Sequence, residues 1–295
     1  MHTNKIAWLA LAVALVALGL VFGRPFSGRE GTVGISKETA FERVMRTRTL
    51  RCAYAVRPPF LVIDPATNQK SGISYDVMEA IGKIAHLKIE WNEEVGYGVF
   101  PEQLKAGKED AFCLTLYKGI MRAQRVEMTT PVVYSPIYAF VRAGDTRFDG
   151  ALGAINDEQV TIAALDGTPQ KDLAESAFPR AKKYLLAGET GAPDVLLALV
   201  TGKADVYLSE QPIVLDYNAK NPDKPLKRVA GVPSVRVFGE AFSVAKGESE
   251  LRDFLNTALQ DLQNDGTLER ILSHYVPKSD SAFYPATPYV VRSSE

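Results

Sequence analysis

The sequence predicts an α/β protein of two lobes, each a mostly parallel, doubly wound sheet, joined by two crossover strands that serve as a hinge. Three observations point there. The chain has 295 residues, beyond the comfortable size of one hydrophobic core, which allows two lobes or one large α/β domain. Short apolar runs alternate with stretches of helical spacing, which implies parallel strands covered by helices, with ligand crevices at the carboxyl ends of the strands. The alternation breaks off at one extended segment, starts again, and is closed by a second that carries the chain back.

Taken in order, Ser36 can cap a helix whose apolar face is Phe41, Val44 and Met45, and Leu50 to Val56 is a short apolar run suited to a buried strand. Val77, Ile81 and Ile84 give helical spacing to Tyr75 through Ala85, and Leu87 to Trp91 alternates as a strand. Phe100 to Lys105 fits a helix ending at Gly107, and Ala111 to Leu116 is the next strand. Val132 to Arg142 is extended, with the first crossover expected near Ala139 to Gly144. The pattern restarts with a strand at Val160 to Leu165, helices at Gln170 to Ala177 and Asp194 to Thr201, a strand at Ala204 to Ser209 and a helix at Gln211 to Ala219. Val235 to Val244 returns the chain, and Glu250 to Val276 is helical with a break at Asp265 and Gly266. Lobe one is therefore expected over residues 36–141 and 242–280, lobe two over 142–241, with 281–295 as a tail.

Ahead of this body, Ile6 to Phe22 is an unbroken apolar run after a short polar start with Lys5, as in an export signal. Its length is near the lower limit for spanning a bilayer, and Gly23, Arg24 and Pro25 follow without an A-x-A site. Residues 1–23 are thus a cleaved signal peptide or a retained membrane anchor, and 24–35, rich in Gly, Arg and Ser, a tether. Apart from this segment nothing suggests a membrane. The hydrophobic fraction of 46% and charged fraction of 23% are ordinary for a soluble globular protein. Lys and Arg are interspersed with Asp and Glu, and the net charge of -1 leaves no footprint for nucleic acid.

No cofactor and no metal site are expected. Cys52 and Cys113 lack metal-ligand spacing, and His2, His86 and His274 are scattered. Both cysteines fall in apolar strand-like runs, which favours buried free thiols packing as small hydrophobes; an exported location keeps a disulfide possible. There is no G-x-x-x-x-G-K-[ST], no G-x-S-x-G and no H-E-x-x-H.

Five segments in one order, "TLRCAYAVRPPF", "SGISYDVMEAIGKIAHLKIEW", "LKAGKEDAFCLTLYKGIMRAQRVEMTTPVVYSPIYAFV", "LVTGKADVYLSEQP" and "LRDFLNTALQDLQNDGTLERILSHYV", cover nearly everything from Thr49 to Val276. Together they resemble the extracellular solute-binding proteins, family three, which serve polar amino-acid importers. The resemblance implies a type II periplasmic-binding-protein fold and a monomer outside the cytoplasmic membrane. Such a chain closes like a clamshell on an amino acid, or a related zwitterion or carboxylate, and delivers it to an ABC transporter permease.

In that family an arginine after a lobe-one strand clamps the ligand's α-carboxylate, and Arg122 in "GIMRAQR" stands at the matching position. A guanidinium presents paired donors that fit a carboxylate, as an ammonium cannot. Arg125, just beyond, reads as a surface residue. The family's acid for the α-ammonium, usually Asp, is matched by Glu210 in "GKADVYLSE"; its plain alternative is a glutamate favoured by a helix N-terminus. Thr115 and Tyr117 match positions that offer carbonyls and hydroxyls to the amine. Thr168 matches a lobe-two hydroxyl on the carboxylate, although Pro169 removes one amide donor. Tyr97 matches a flanking aromatic. Arg57 replaces an aromatic that usually stacks on the ligand, which suggests a ligand with extra negative charge or an acceptor-rich side chain. No residue is assigned a catalytic role, because no second acid or base accompanies Glu210. Two further readings stay open: a cyclohexadienyl or arogenate dehydratase on the same scaffold, with Glu210 as its acid, and a ligand-sensing accessory module.

Overall fold

The computed structural model describes residues 38–187, 191–275 and 284–285, and the described residues from Thr39 onward form one compact unit. The apolar run at 6–22, the tether and Ser36 lie outside the described residues. The first helix among the described residues, α1 (Ala40–Thr47), is capped by Thr39 rather than Ser36. The Thr39 hydroxyl accepts from the Glu42 amide at 3.1 Å, and the Glu42 carboxylate accepts from the Thr39 amide at 2.9 Å. Such a box needs an acid three residues on, which Thr39 has and Ser36 lacks.

Lobe one continues with β1 (Thr49–Tyr54), a short antiparallel pair, β2 (Val62–Ile63) and β3 (Lys70–Ser71), then α2 (Ile73–Ala85) and β4 (Lys88–Glu94). After these come α3 (Phe100–Lys105), β5 (Ala111–Tyr117), the single turn α4 (Ile120–Ala123) and β6 (Val126–Met128). Strands β4, β1 and β5 lie side by side and parallel, in the order β4-β1-β5. Every residue of β5 is buried, as a central strand packed against α2 and α3 requires. One apolar core, including Leu50, Phe60, Ile81, Phe112, Phe242 and Leu255, fills this lobe. At the start of β5, buried Asp110 accepts from Arg51 Nη2 at 2.8 Å and from Arg43 Nε at 3.0 Å, tying α1 and β1 to it.

Between β1 and β5 the two cysteines form a disulfide, Cys52–Cys113, with Cα atoms 5.5 Å apart. This corrects the preference for free thiols. The residues are 61 apart in sequence, and only the β1-β5 adjacency, produced by the crossover through α2, β4 and α3, brings them together.

Strand β7 (Val133–Arg142) leads into lobe two, which holds β8 (Thr161–Leu165), α5 (Pro169–Ala177), β9 (Lys182–Leu186), α6 (Ala192–Val200), β10 (Val206–Ser209), α7 (Gln211–Lys220) and β11 (Leu226–Arg228). The parallel strands β10, β8 and β9 follow β7 in the sheet. Two clusters cover the two faces. Ile137, Ala139 and Val141 of β7 point into one, and Tyr138 and Phe140 into the other, the alternation expected of a strand with both faces covered. The change of lobe falls inside β7, earlier than the Ala139–Gly144 expected. Residues 133–137 pair with β12 (Arg236–Ala245), and from Tyr138 onward β7 pairs with β10 and β11.

The return strand β12 runs antiparallel to β7 at the waist, and its far end, from Glu240 to Ala245, pairs with β5 and β6 of lobe one. Helices α8 (Ser249–Asn264) and α9 (Thr267–Tyr275) complete lobe one, separated at Gly266, whose φ of +76° is natural for glycine. A further short strand, β13 (Tyr284–Pro285), pairs with β7.

Candidate functional site

The carboxyl ends of β1 and β5 in lobe one and of β10 in lobe two converge with the two crossing strands, and the charged residues lie there. Arg57 follows β1 in the "RPPF" loop. Its Nη2 donates to the Thr115 carbonyl at 2.9 Å and to the Glu240 carboxylate, and its Nη1 lies 3.7 Å from Glu210 Oε1. The guanidinium sits over the Phe60 ring, 4.0 Å from its centroid, so the aromatic partner comes from the next turn of the loop. Burial lowers the Arg57 pKa, but the carboxylates of Glu240 and Glu210 outweigh it, and the net shift is upward.

Glu210 ends β10 and precedes α7. Although it occupies that helix's N-cap position, its side chain makes no capping bond. The carboxylate is buried instead and accepts a hydrogen bond from the Tyr117 hydroxyl. Tyr117, at the end of β5, stacks on Phe238 of β12 with centroids 4.7 Å apart. Burial and the Glu210 and Glu240 charges push its phenol well above the ordinary tyrosine range. It therefore stays a donor.

Arg122, in the turn after β5, donates from Nη1 to the Tyr117 carbonyl. Burial and the neighbouring Arg57 charge push its pKa down. Among the described residues no acid forms an ion pair with it. A guanidinium half-shielded from water beside a second one is a place where an anion is wanted. Arg125, in contrast, is exposed and lies 3.5 Å from Glu102. Tyr97 stands at the lip, about half exposed. Burial raises its pKa, and the charges of Arg57, Glu240, Arg122 and Glu210 all act on it, so its hydroxyl shares their space.

The two remaining matched residues are engaged differently. Thr115 is fully buried; its Oγ1 lies 3.1 Å from Ser74 Oγ and 3.3 Å from Glu240 Oε2, beneath the charged groups. Thr168 caps α5, accepting from the Lys171 amide at 3.4 Å and donating to the Leu165 carbonyl at 2.7 Å. Its hydroxyl is spent on its own turn. Two residues on, Gln170 Nε2 reaches the Tyr117 hydroxyl at 3.4 Å, so the first turn of α5 adjoins the cluster.

Sequence reasoning missed Glu240, Ser135, Gln170 and Ser74. Glu240 is the central one, and it overturns the expectation that no second acid accompanies Glu210. It is fully buried in β12, accepts from Ser135 at 2.5 Å, and is bonded by Arg57. Burial, opposed by Arg57 and reinforced by Glu210, pushes its pKa up to about 7. A glutamate inside the apolar run "VFGEAFSV" was the available signal, because an acid in a buried strand needs a partner. Outside this cluster a cavity of about 850 Å³ lies over α6 and α7, beside Pro58, Pro59 and Tyr275. None of the residues above lines it.

A two-lobed α/β protein with a cation-and-acid cluster at the waist is built as a solute-binding protein. The family model "Bacterial extracellular solute-binding proteins, family 3" matches residues 50–278, and the chain belongs to that family. It is 28% identical over 208 residues to the probable amino-acid-binding protein YxeM of Bacillus subtilis, covering 70% of this chain and 75% of that protein. Among solved structures it resembles the ancestral amino acid-binding protein AncCDT-1, a precursor of cyclohexadienyl dehydratase. The identity is 21%, the TM-score 0.65, and the coverage 80% of this chain and 99% of that one. A substrate-binding protein of an amino acid ABC transporter from Streptococcus pneumoniae, bound to L-arginine, matches with 21% identity and a TM-score of 0.63, over 80% of this chain and 97% of that one. These structures share the type II periplasmic-binding-protein fold with it.

Proposed function

We propose that the chain captures an amino acid, or a related small zwitterion or carboxylate, outside the cytoplasmic membrane and delivers it to an ABC importer without chemical turnover. One observation carries this reading. Arg122 of lobe one and Glu210 of lobe two meet on the same residue, Tyr117, through its carbonyl and its hydroxyl. Arg122, with no ion-paired acid among the described residues, takes the ligand's carboxylate, and Glu210 takes the ammonium. A molecule held at both ends favours lobes brought together, and β7 and β12 supply the hinge. Tyr97 closes one wall, Thr115 supports the floor, and Thr168 orients the first turn of α5. The names of the matched proteins, amino-acid binders, agree with this chemistry. Export rests on the apolar run at 6–22 and the family's extracellular character, whether that run is removed or kept as an anchor.

A thermal-shift screen of the body against the L-amino acids, dicarboxylates and small amines tests the reading, since a ligand bound to the native state raises the melting temperature by mass action. We expect a selective hit that Arg122→Ala loses. Truncating one member of a buried charge pair costs about 2–5 kcal/mol, a loss of at least tenfold in affinity. Hits that bind the variant as tightly as the native chain would show the carboxylate clamp to be misplaced. Prephenate and arogenate should yield no aromatic product; their conversion would favour the dehydratase.

A further inference from the structure

Glu240 has no place in the capture of a zwitterion by Arg122 and Glu210, yet it is the most completely enclosed charged group of the cluster. It lies on β12 where that strand passes from the waist to lobe one, pairing with Val133 of β7 and Tyr117 of β5. From every side the groups that face it can be named. From the β1 loop comes the Arg57 guanidinium, from β5 the Thr115 hydroxyl at 3.3 Å, and from β7 the Ser135 hydroxyl at 2.5 Å. Its charge is also felt by Tyr117, Tyr97 and Arg122, and across the cleft it feels Glu210.

Arg57 is thus stretched between two acids. It bonds Glu240 at the hinge and, on its other nitrogen, lies 3.7 Å from Glu210. Glu210 is the acid assigned to the ligand's ammonium, so the ammonium and Arg57 contend for one carboxylate. We infer that Glu240 is a positioning residue that holds Arg57 opposite Glu210 and receives its full charge when a ligand's ammonium displaces it, so that capture of an amino acid expels a proton from the hinge. This rests on the proposed function. The sign follows from the charges. Before capture, Arg57 is shared, and burial first, then the Glu210 charge, push the Glu240 pKa up to about 7 against the pull of Arg57. An ammonium on Glu210 cancels that repulsion and releases Arg57 to Glu240, and both effects favour the carboxylate. The ligand's carboxylate on Arg122 acts in the opposite direction, but Arg122 weighs less on Glu240 than Arg57 and Glu210 do.

The experiment is isothermal titration calorimetry at pH 7. The titrant is whichever of the twenty L-amino acids stabilises the native chain most, measured in two buffers of different ionisation enthalpy. A group that is half protonated in the free protein and ionised in the complex releases about half a proton per ligand. We expect that release in the native chain, with affinity rising as the pH goes from 6 to 8. In Glu240→Gln, an isostere that keeps hydrogen bonds to Ser135 and Arg57, binding should persist with no proton exchanged and a flat pH profile. Ser135→Ala, which leaves the acid in place but removes a hydrogen bond favouring its carboxylate, should shift the release to higher pH without abolishing it, so that a loss in Glu240→Gln is not ascribed to a loosened hinge. Binding by the native chain without proton release, or equal release by Glu240→Gln, overturns the inference and leaves the proposed function standing. A native chain that binds none of the twenty overturns both. If Glu240→Gln does not fold, the buffer dependence and pH profile of the native chain and of Ser135→Ala decide alone.

Discussion

At Glu240, burial and the Glu210 charge raise the carboxyl pKa from its ordinary 4.5 to about 7, against the pull of Arg57. The sign of its effect on stability follows. A folded-state value above the unfolded one means that the native chain keeps a proton which the unfolded chain gives up, so this contribution is full below pH 4.5 and is lost as the pH rises through 7. Relative to Glu240→Gln, the native chain should therefore lose stability between these limits with a slope of up to about 1.4 kcal/mol per pH unit. Urea unfolding of the two proteins at half-unit pH steps checks it; parallel curves would place the Glu240 titration elsewhere. Asp110 is the contrasting case, a buried acid held by Arg43 and Arg51 in lobe one and far from the cleft in its bonding. Asp110→Asn should cost about 3–5 kcal/mol, because it leaves two guanidinium groups without their charge partner. Amino-acid affinity at a temperature where the variant is folded should be unchanged.

The disulfide acts on elements, since it locks β1 to β5, the strands that carry Arg57 and Tyr117 at their ends. Closing a loop of 61 residues is worth about 4 kcal/mol in the chain-entropy account. A Cys52→Ser, Cys113→Ser double variant should unfold at lower urea by about 2–5 kcal/mol, and reducing agent should lower the native chain's melting point in the same direction. The pairing was illegible in the sequence because strand adjacency is a property of topology. The elements themselves were largely legible. β5 shows as "AFCLTLY", apolar throughout but for a threonine that Ser74 satisfies, and α8 and α9 as two helical stretches parted at Asp265 and Gly266. β9, "KKYLL", passed unseen because lysines at an edge strand break the apolar run, and β6 and β11 are only three residues long. In the candidate site, Arg57, Tyr117, Arg122 and Glu210 stood out through the family resemblance, at positions matching its pattern, and not through any local signal of their own. Ser135 and Gln170 carry no local signal, being ordinary polar residues until the fold puts an acid and a phenol beside them. Gly72 shows the same dependence on packing. It precedes α2 at a φ of +119°, and a Cβ there would lie 2.5 Å from the Phe60 carbonyl oxygen. Gly72→Ala should displace the loop that seats Arg57 on Phe60, lowering both the melting point and the affinity for the selected amino acid.

For the molecule as a whole, the question is whether two lobes with separate cores behave as one cooperative body. The cores are distinct, yet the sheet is not divided. β7 pairs with β12 through residues 133–137 and then with β10 and β11, while β12 pairs with β7 and then with β5 and β6. Neither lobe can unfold its share of these strands without stripping backbone hydrogen bonds from the other, and each stripped pair leaves buried donors and acceptors unmet. The Arg57–Glu240 and Tyr117–Glu210 contacts add side-chain ties at the same waist. Urea unfolding of the body after Gly34, from which Trp8 is absent, should accordingly be a single transition, coincident when followed by far-ultraviolet circular dichroism, which sees both lobes, and by the fluorescence of Trp91, which sits in lobe one on β4. The selected amino acid at a hundred times its Kd should move the entire transition by about 2.7 kcal/mol, because it binds only where both lobes are folded. Two transitions, with Trp91 reporting only one of them, would mean that the crossing strands hinge the lobes without coupling their stability.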